Sequence, residues 1–179
     1  MKIEKEIVPK IERDYFFIEG SVDINDKYFI DKINESVEGK NNINYGTNVK
    51  GKHTYWDYFN HDKEFHICLG QIMDFLDESK IISHGCYLKD SWGIREDTGD
   101  VTRDHNHVPS YFSGIIYLNN HSQKLYLPEI KKEVIPLCGK VVLFSSFLRH
   151  YTKRNTSDDS KYAISFNFDY STVGGKRHN

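Results

Sequence analysis

The sequence predicts a mostly β (α+β) domain, a jelly roll with N-terminal helices packed against one sheet. Three observations predict it. From residue 81 onward, short β-type runs alternate with turn signals, the pattern of a sandwich or barrel. Before that point, two stretches carry apolar residues at helical spacing. Aromatics are abundant, with 12 Tyr, 11 Phe and 2 Trp, which favours strands and aromatic-lined pockets. At 179 residues the chain suits one domain with a real core. That domain reads as residues 1–179, with helical support over 1–80 and the β core over 81–171.

The elements follow in order. Residues 11–22 contain Tyr15-Phe16-Phe17-Ile18, a β-leaning run ended by Gly20. Asp23 or Asn25 can cap the next segment. Over 26–37 the apolar residues Phe29, Ile33 and Val37 fall four apart with charge between them. That spacing predicts an amphipathic helix, stopped near Gly39. Residues 40–51 are polar and read as a loop. Tyr55-Trp56-Asp57-Tyr58-Phe59 is an aromatic cluster that fits neither period. Asp62 caps a second helix, with Phe65, Leu69, Ile72, Met73 and Leu76 on one stripe. Both stripes read as core, not as partner-binding surface.

Strands are expected at 84–96, 111–118, 124–127, 133–137, 140–145 and 161–170. The breaks between them are Asp97-Thr98-Gly99-Asp100, Asn119-Asn120, Pro128, Cys138-Gly139 and the polar loop 151–160. The inside of such a roll is a natural ligand cavity.

Composition excludes some classes of function. The net charge of -2 gives no basic field for nucleic acid or a membrane surface. The basic tail 174–179 reads as a frayed end. Cys68, Cys86 and Cys138 are odd in number and scattered, so reduced thiols and a cytoplasmic setting are expected. No cysteine pair has zinc-knuckle spacing. No apolar run approaches about 18 residues, and the N-terminus lacks a signal-peptide core. The chain has no internal repeat. Oligomeric state is not legible.

The chemistry centres on residues 104–119, Asp-His-Asn-His-Val-Pro-Ser-Tyr-Phe-Ser-Gly-Ile-Ile-Tyr-Leu-Asn. In a strand, residues i and i+2 share a face, so His105 and His107 aim both imidazoles at one spot. His150 lies 43 residues beyond His107, after the apolar run Val141-Val142-Leu143-Phe144. Two ligands from one strand and one from a distant strand make a facial metal site with open positions opposite. His53, His61, His66, His84, His121 and His178 read as surface or hydrogen-bonded residues. Lys161 opens an alternating strand 11 residues after His150. If that strand returns antiparallel, Lys161 sits deep in the barrel, where a buried ammonium needs an anion. A diacid gripping the metal at its other end is one source. The alternative is an exposed lysine at a strand start.

In combination, His105-Asn106-His107, then Ser113-Gly114-Ile115-Ile116-Tyr117-Leu118-Asn119, then residues 139–150 ending in Leu148-Arg149-His150, then Lys161-Tyr162-Ala163-Ile164-Ser165-Phe166-Asn167-Phe168 resemble the 2-oxoglutarate and Fe(II)-dependent oxygenases. The nearest resemblance is to a bacterial and phage branch related to prolyl hydroxylases, and it spans residues 92–170. It implies a double-stranded β-helix with helices on one side. It implies Fe(II), 2-oxoglutarate as cosubstrate and O2, with ascorbate as a candidate reductant. The implied reaction is oxidative decarboxylation of 2-oxoglutarate coupled to hydroxylation of an unknown small-molecule or peptidyl substrate.

Carried over by position, His105 and His150 match the family's two histidine ligands. His107 stands where most members have a carboxylate. Lys161 and Tyr117 match the residues that hold the distal carboxylate of 2-oxoglutarate. Ser165 and Asn167, on the face of Lys161 by period two, are expected between lysine and metal. Arg149 is expected to point away. Asp104 is the competing third ligand, reachable only through a bulge. Three histidines also suit zinc and cupin-type iron dioxygenases. Two rival readings therefore stand: a three-histidine metalloenzyme that does not use 2-oxoglutarate, and a non-catalytic β-barrel binding module. Tyr55–Phe59 and 87–92 read either as the mouth of the site or as core aromatics.

Overall fold

A computed structural model describes residues 14–39, 48–79 and 85–171. Expectations placed on residues 1–13, 40–47, 80–84 (with His84) and 172–179 (with His178) lie outside the described residues. The elements run β1 (Phe17–Ser21), α1 (Asp26–Glu38), β2 (Lys52–His53), α2 (Lys63–Ser79), β3 (Cys86–Glu96), β4 (Phe112–Tyr117), β5 (Leu125–Leu127), β6 (Lys132–Val134), β7 (Lys140–Ser145), β8 (Tyr151–Thr152) and β9 (Lys161–Tyr170).

Both amphipathic stretches are helices, and each cap has a physical cause. The Asn25 side chain accepts a hydrogen bond from the Tyr28 amide at 3.3 Å, and Asp62 accepts one from the Phe65 amide at 3.0 Å. Asp62 also takes bonds from the Tyr28 hydroxyl at 2.8 Å and the Lys32 ammonium at 2.6 Å. One carboxylate thus starts α2 and ties it to α1. Phe29, Ile33 and Val37 of α1 and Phe65, Leu69, Ile72 and Leu76 of α2 are buried.

The strands form two antiparallel sheets. The larger has the order β1-β7-β4-β9-β3-β2, the smaller β6-β5-β8. Isolated bridges Val49↔Thr102 and His105↔His150 carry the pairing of the small sheet outward past β8. The fold is therefore mostly β with two helices, as in a β-sandwich or jelly roll.

Period-two alternation divides the large sheet into two faces. Ile164, Phe166 and Phe168 of β9, Val141 and Leu143 of β7, and Phe112 and Ile116 of β4 pack with both helices. Ala163, Val142, Phe144 and Tyr117 turn the other way, toward Leu125, Leu127 and Val134 of the small sheet. Gly93 and Gly114 sit on the helix-facing side, where a methyl group would overlap Ile33 at the first and Phe166 at the second. Helix α1 lies close on β3 because Gly93 has no side chain.

Some expectations shift. The run expected at 133–137 becomes β6 and ends at Val134, before Pro136, which cannot donate to a ladder. Residues 151–160 were expected to be loop throughout, yet Tyr151 and Thr152 pair with Tyr126 and Leu125. A two-residue strand leaves no periodic signature, and its partner supplies the pairing. The same holds for β2. Tyr55–Phe59 runs through a turn, with the Phe59 amide bonded to the Ser91 carbonyl and the Ser91 amide to that of Trp56. Phe59 is core, while Tyr55 and Trp56 are largely exposed. Among the described residues no helix is long and apolar enough to cross a membrane.

Candidate metal centre

The backbone brings His105 and His150 opposite each other. The His105 amide donates to the His150 carbonyl at 3.1 Å, and the His150 amide returns the bond at 2.9 Å. Two residues that exchange both bonds form a narrow antiparallel pair. The expected regular strand through 105–107 is reduced to this single bridge. Beyond it, the His107 amide donates to the Ser146 carbonyl at 2.9 Å, which holds the third imidazole beside the other two. The ring centroids lie 4.3 Å apart for His105 and His150, 4.9 Å for His105 and His107, and 5.0 Å for His107 and His150.

Backbone carbonyls fix the tautomers. Nδ1 of His105 lies 2.8 Å from the Arg103 oxygen, and Nδ1 of His150 lies 3.2 Å from that of Leu148. A carbonyl only accepts, so each Nδ1 carries the proton and each Nε2 presents a lone pair. Burial lowers the pKa of all three imidazoles. His107 is pushed down to about 3, by burial first and then by His105 and Lys89. Neutral imidazoles are what a cation requires.

The separations fit a metal. Nε2 of His107 and Nε2 of His150 are 3.2 Å apart. Two nitrogens bound about 2.1 Å from one ion at tetrahedral or right angles lie roughly 3.0–3.4 Å apart. The ligand atoms of all three histidines fall within 4.8 Å of one another. Asp104 lies outside this group. It faces Arg149, whose Nε donates to its carboxylate at 2.9 Å, and both side chains are about half exposed.

The same cavity is lined by all three histidines and by Trp92, Glu96, Thr102, Tyr117, Thr152, Lys161 and Ser165. Trp92 lies against His107 with its ring tilted by 52° and the centroids 5.9 Å apart, while Trp56 packs edge-on against Trp92. Among the described residues, the Tyr117 hydroxyl and the Trp92 indole N–H find no hydrogen-bond partner, although both are buried. Orphaned buried donors are costly, and two in one cavity mark places for a ligand's oxygens. Burial first, then Glu96 and Glu19, raises the Tyr117 pKa, so its proton stays on the oxygen.

Asn167 shares a face with Lys161 by period two, but unlike Ser165 it is not among the residues that line the cavity. Its amide donates to Asp90 at 2.7 Å, and its oxygen accepts from Ser113 at 2.6 Å. Both bonds are made to neighbouring strands and turn the amide away from the three histidines' cavity lining.

Lys161 is 3 % exposed, so it is not a surface lysine. Its anion is already present. Glu96, 1 % exposed, pairs with it directly across β3 and β9 and makes an ion pair with its ammonium. The other Glu96 oxygen accepts from the Thr102 hydroxyl at 2.9 Å and the Thr152 hydroxyl at 3.2 Å. Sequence reasoning missed Glu96, although a signal was there: Trp92, Ile94 and Glu96 alternate, and an acid on the inward side of a buried strand calls for a partner.

Of the other described histidines, three have local partners, with His53 Nδ1 at 2.6 Å from the Thr54 carbonyl. His66 Nε2 meets the Asn60 carbonyl at 2.7 Å, and His121 Nε2 meets that of Asp159 at 3.0 Å.

No family model and no curated sequence matches the chain. Solved structures do resemble it. A viral collagen prolyl hydroxylase from Paramecium Bursaria Chlorella virus-1, solved as its 2-oxoglutarate complex, aligns with a TM-score of 0.66 at 15% identity, covering 85% of this chain and 94% of that one. A prolyl-4-hydroxylase from Pseudomonas putida aligns at 0.63 and 16% identity, covering 87% and 92%. HygX from Streptomyces hygroscopicus, with nickel and 2-oxoglutarate bound, aligns at 0.62 and 12% identity, covering 87% and 83%. At these identities the likeness is one of fold.

Proposed function

We propose, from a fold shared with 2-oxoglutarate-dependent oxygenases, that the chain is a non-haem Fe(II) oxygenase using 2-oxoglutarate as cosubstrate. The observation that carries this reading is the convergence of three neutral imidazoles, each lining a cavity whose far wall holds a buried lysine. In this reading the two antiparallel sheets are the halves of a double-stranded β-helix, and the chain is a single domain.

His105, His107 and His150 would hold the metal through Nε2. An Fe(II) ion with bound 2-oxoglutarate supplies oxidation of a C–H bond by O2, with succinate and carbon dioxide as coproducts. The residues of this chain do the positioning. The Arg103 and Leu148 carbonyls hold two rings in their ligating tautomer. Tyr117 and Trp92 offer donors to carboxylate or oxo oxygens. Ala163, Phe144 and Ile115 keep the wall between them apolar, which excludes water from the reacting centre. Hydroxylation of a small-molecule or peptidyl group is the reaction class the structural neighbours suggest; substrate identity rests on loops outside the cavity.

One observation favours a second reading, a three-histidine metalloenzyme that does not use 2-oxoglutarate. Glu96 already neutralises the lysine that a diacid would need. The two readings part on one experiment. Purified protein loaded with Fe(II) under ascorbate is given 2-oxoglutarate, and succinate is measured. Succinate from the wild type and none from His150→Ala supports the first reading. Oxygen uptake that ignores 2-oxoglutarate supports the second.

A further inference from the structure

We propose that Glu96 sets the ligand specificity of the cavity by competing with the distal group of a 2-oxo acid for Lys161. The inference rests on the cosubstrate reading above and deepens it.

Two features carry it. First, Glu96 and Lys161 face each other in register at the end of β3 and β9, and both are almost wholly buried. Second, Glu96 is held at both oxygens, one by the ammonium and one by the hydroxyls of Thr102 and Thr152. The Thr152 hydroxyl is itself fixed, accepting from the Thr102 amide at 2.8 Å and from Gln123 at 3.2 Å. The carboxylate is therefore a built part of the wall.

The consequence follows from charge. An unpaired buried lysine attracts a distal carboxylate strongly. A lysine already paired with Glu96 presents a net charge of zero. A second carboxylate then brings two anions to one cation in a dry space, where like charges repel at short range. To bind, a dicarboxylate must displace Glu96 from Lys161 and break its bonds to the two threonines. A 2-oxo acid ending in an uncharged amide meets no such repulsion and can accept from the Tyr117 hydroxyl. Glu96 thus lowers the preference for dicarboxylates that Lys161 alone would impose.

The test compares two ligands of the same shape, 2-oxoglutarate and its 5-amide. Both are titrated calorimetrically into Fe(II)-loaded protein without oxygen. The readout is the ratio of the amide's Kd to that of 2-oxoglutarate, which cancels general damage to the pocket. For the wild type a ratio below about ten is expected, because a charge-assisted bond to an unopposed lysine gives more than that. A wild-type ratio of ten or more overturns the proposal, even if no variant folds. Glu96→Gln is expected to raise the ratio at least about tenfold, and Glu96→Gln combined with Lys161→Met to return it to the wild-type level. Both ligands weakening together, with an unchanged ratio, overturns the proposal while leaving the cosubstrate reading intact. Failure of both ligands to bind metal-loaded wild type rejects the cosubstrate reading, and this inference with it; binding of 2-oxoglutarate without its amide overturns the inference alone.

Discussion

At the scale of single residues, two neighbouring side chains point in opposite directions, and only one of them joins the histidine cluster. His107 is turned inward by the bond from its amide to Ser146, and Asp104 is held outward by Arg149. His107→Ala should therefore weaken cation binding by more than about tenfold, as loss of even a supporting contact does. Asp104→Ala should leave it within about twofold, because that side chain pairs with an arginine in solvent. Equilibrium dialysis with Co(II) separates the two, and equal losses would unseat His107. Tyr117 allows a prediction with an unusual sign. Its hydroxyl is buried and has no partner among the described residues, so Tyr117→Phe removes a desolvated group and breaks none of the bonds they make. The metal-free variant should be as stable as the wild type or more so, by up to about 1 kcal/mol, while its affinity for 2-oxoglutarate falls. Urea denaturation and calorimetry read the two effects. A clear loss of stability would mean the hydroxyl has a partner inside the protein.

At the scale of elements, α1 reaches β3 through Gly93, where a methyl group would overlap Ile33. Gly93→Ala should cost about 1–3 kcal/mol by overpacking, read as a lower urea midpoint with unchanged slope. The end of β3 carries a pH-dependent tie. Burial pushes the Asp97 carboxyl up, but bonds from Ser160 at 2.5 Å, Arg95 at 2.7 Å and Lys52 at 3.0 Å outweigh it and hold it at about 2. The folded value lies below the unfolded one of about 3.9. The stabilisation is therefore full above about pH 4 and is lost as pH falls toward 2. Asp97→Asn should flatten that acid limb, measured as unfolding free energy across the range. Elements of this size were legible because their signals are local. Phe29, Ile33 and Val37 announce α1, and the alternation of 161–168 announces β9. Short strands such as Tyr151–Thr152 were not, because tertiary pairing creates them. The His-x-His and the distant His150 were readable by type and spacing. The Glu96–Lys161 pair was half readable: the lysine drew attention, but the partner depends on a register between strands about 65 residues apart in sequence, which no local pattern encodes.

At the scale of the whole molecule, the three imidazoles join parts of the chain that are far apart in sequence. His105 and His107 precede β4, and His150 follows β7, with four strands between them. An ion held by all three would lock the small sheet and its bridge to the 102–105 segment onto the large sheet at the cavity mouth. Such an ion binds the folded state and has no comparable site in the unfolded chain. It must therefore stabilise the fold by an amount set by its concentration over its Kd. At a hundredfold excess over Kd that is about 2.7 kcal/mol, and for a chain of this length each kcal/mol moves Tm by about 2–4 °C. Addition of Co(II) or Fe(II) without oxygen should raise Tm by roughly 5–11 °C, and a chelator should reverse the rise. In His150→Ala the same addition should leave Tm unmoved. A rise of equal size in that variant would place the ion elsewhere on the molecule and remove the histidine cluster from its chemistry.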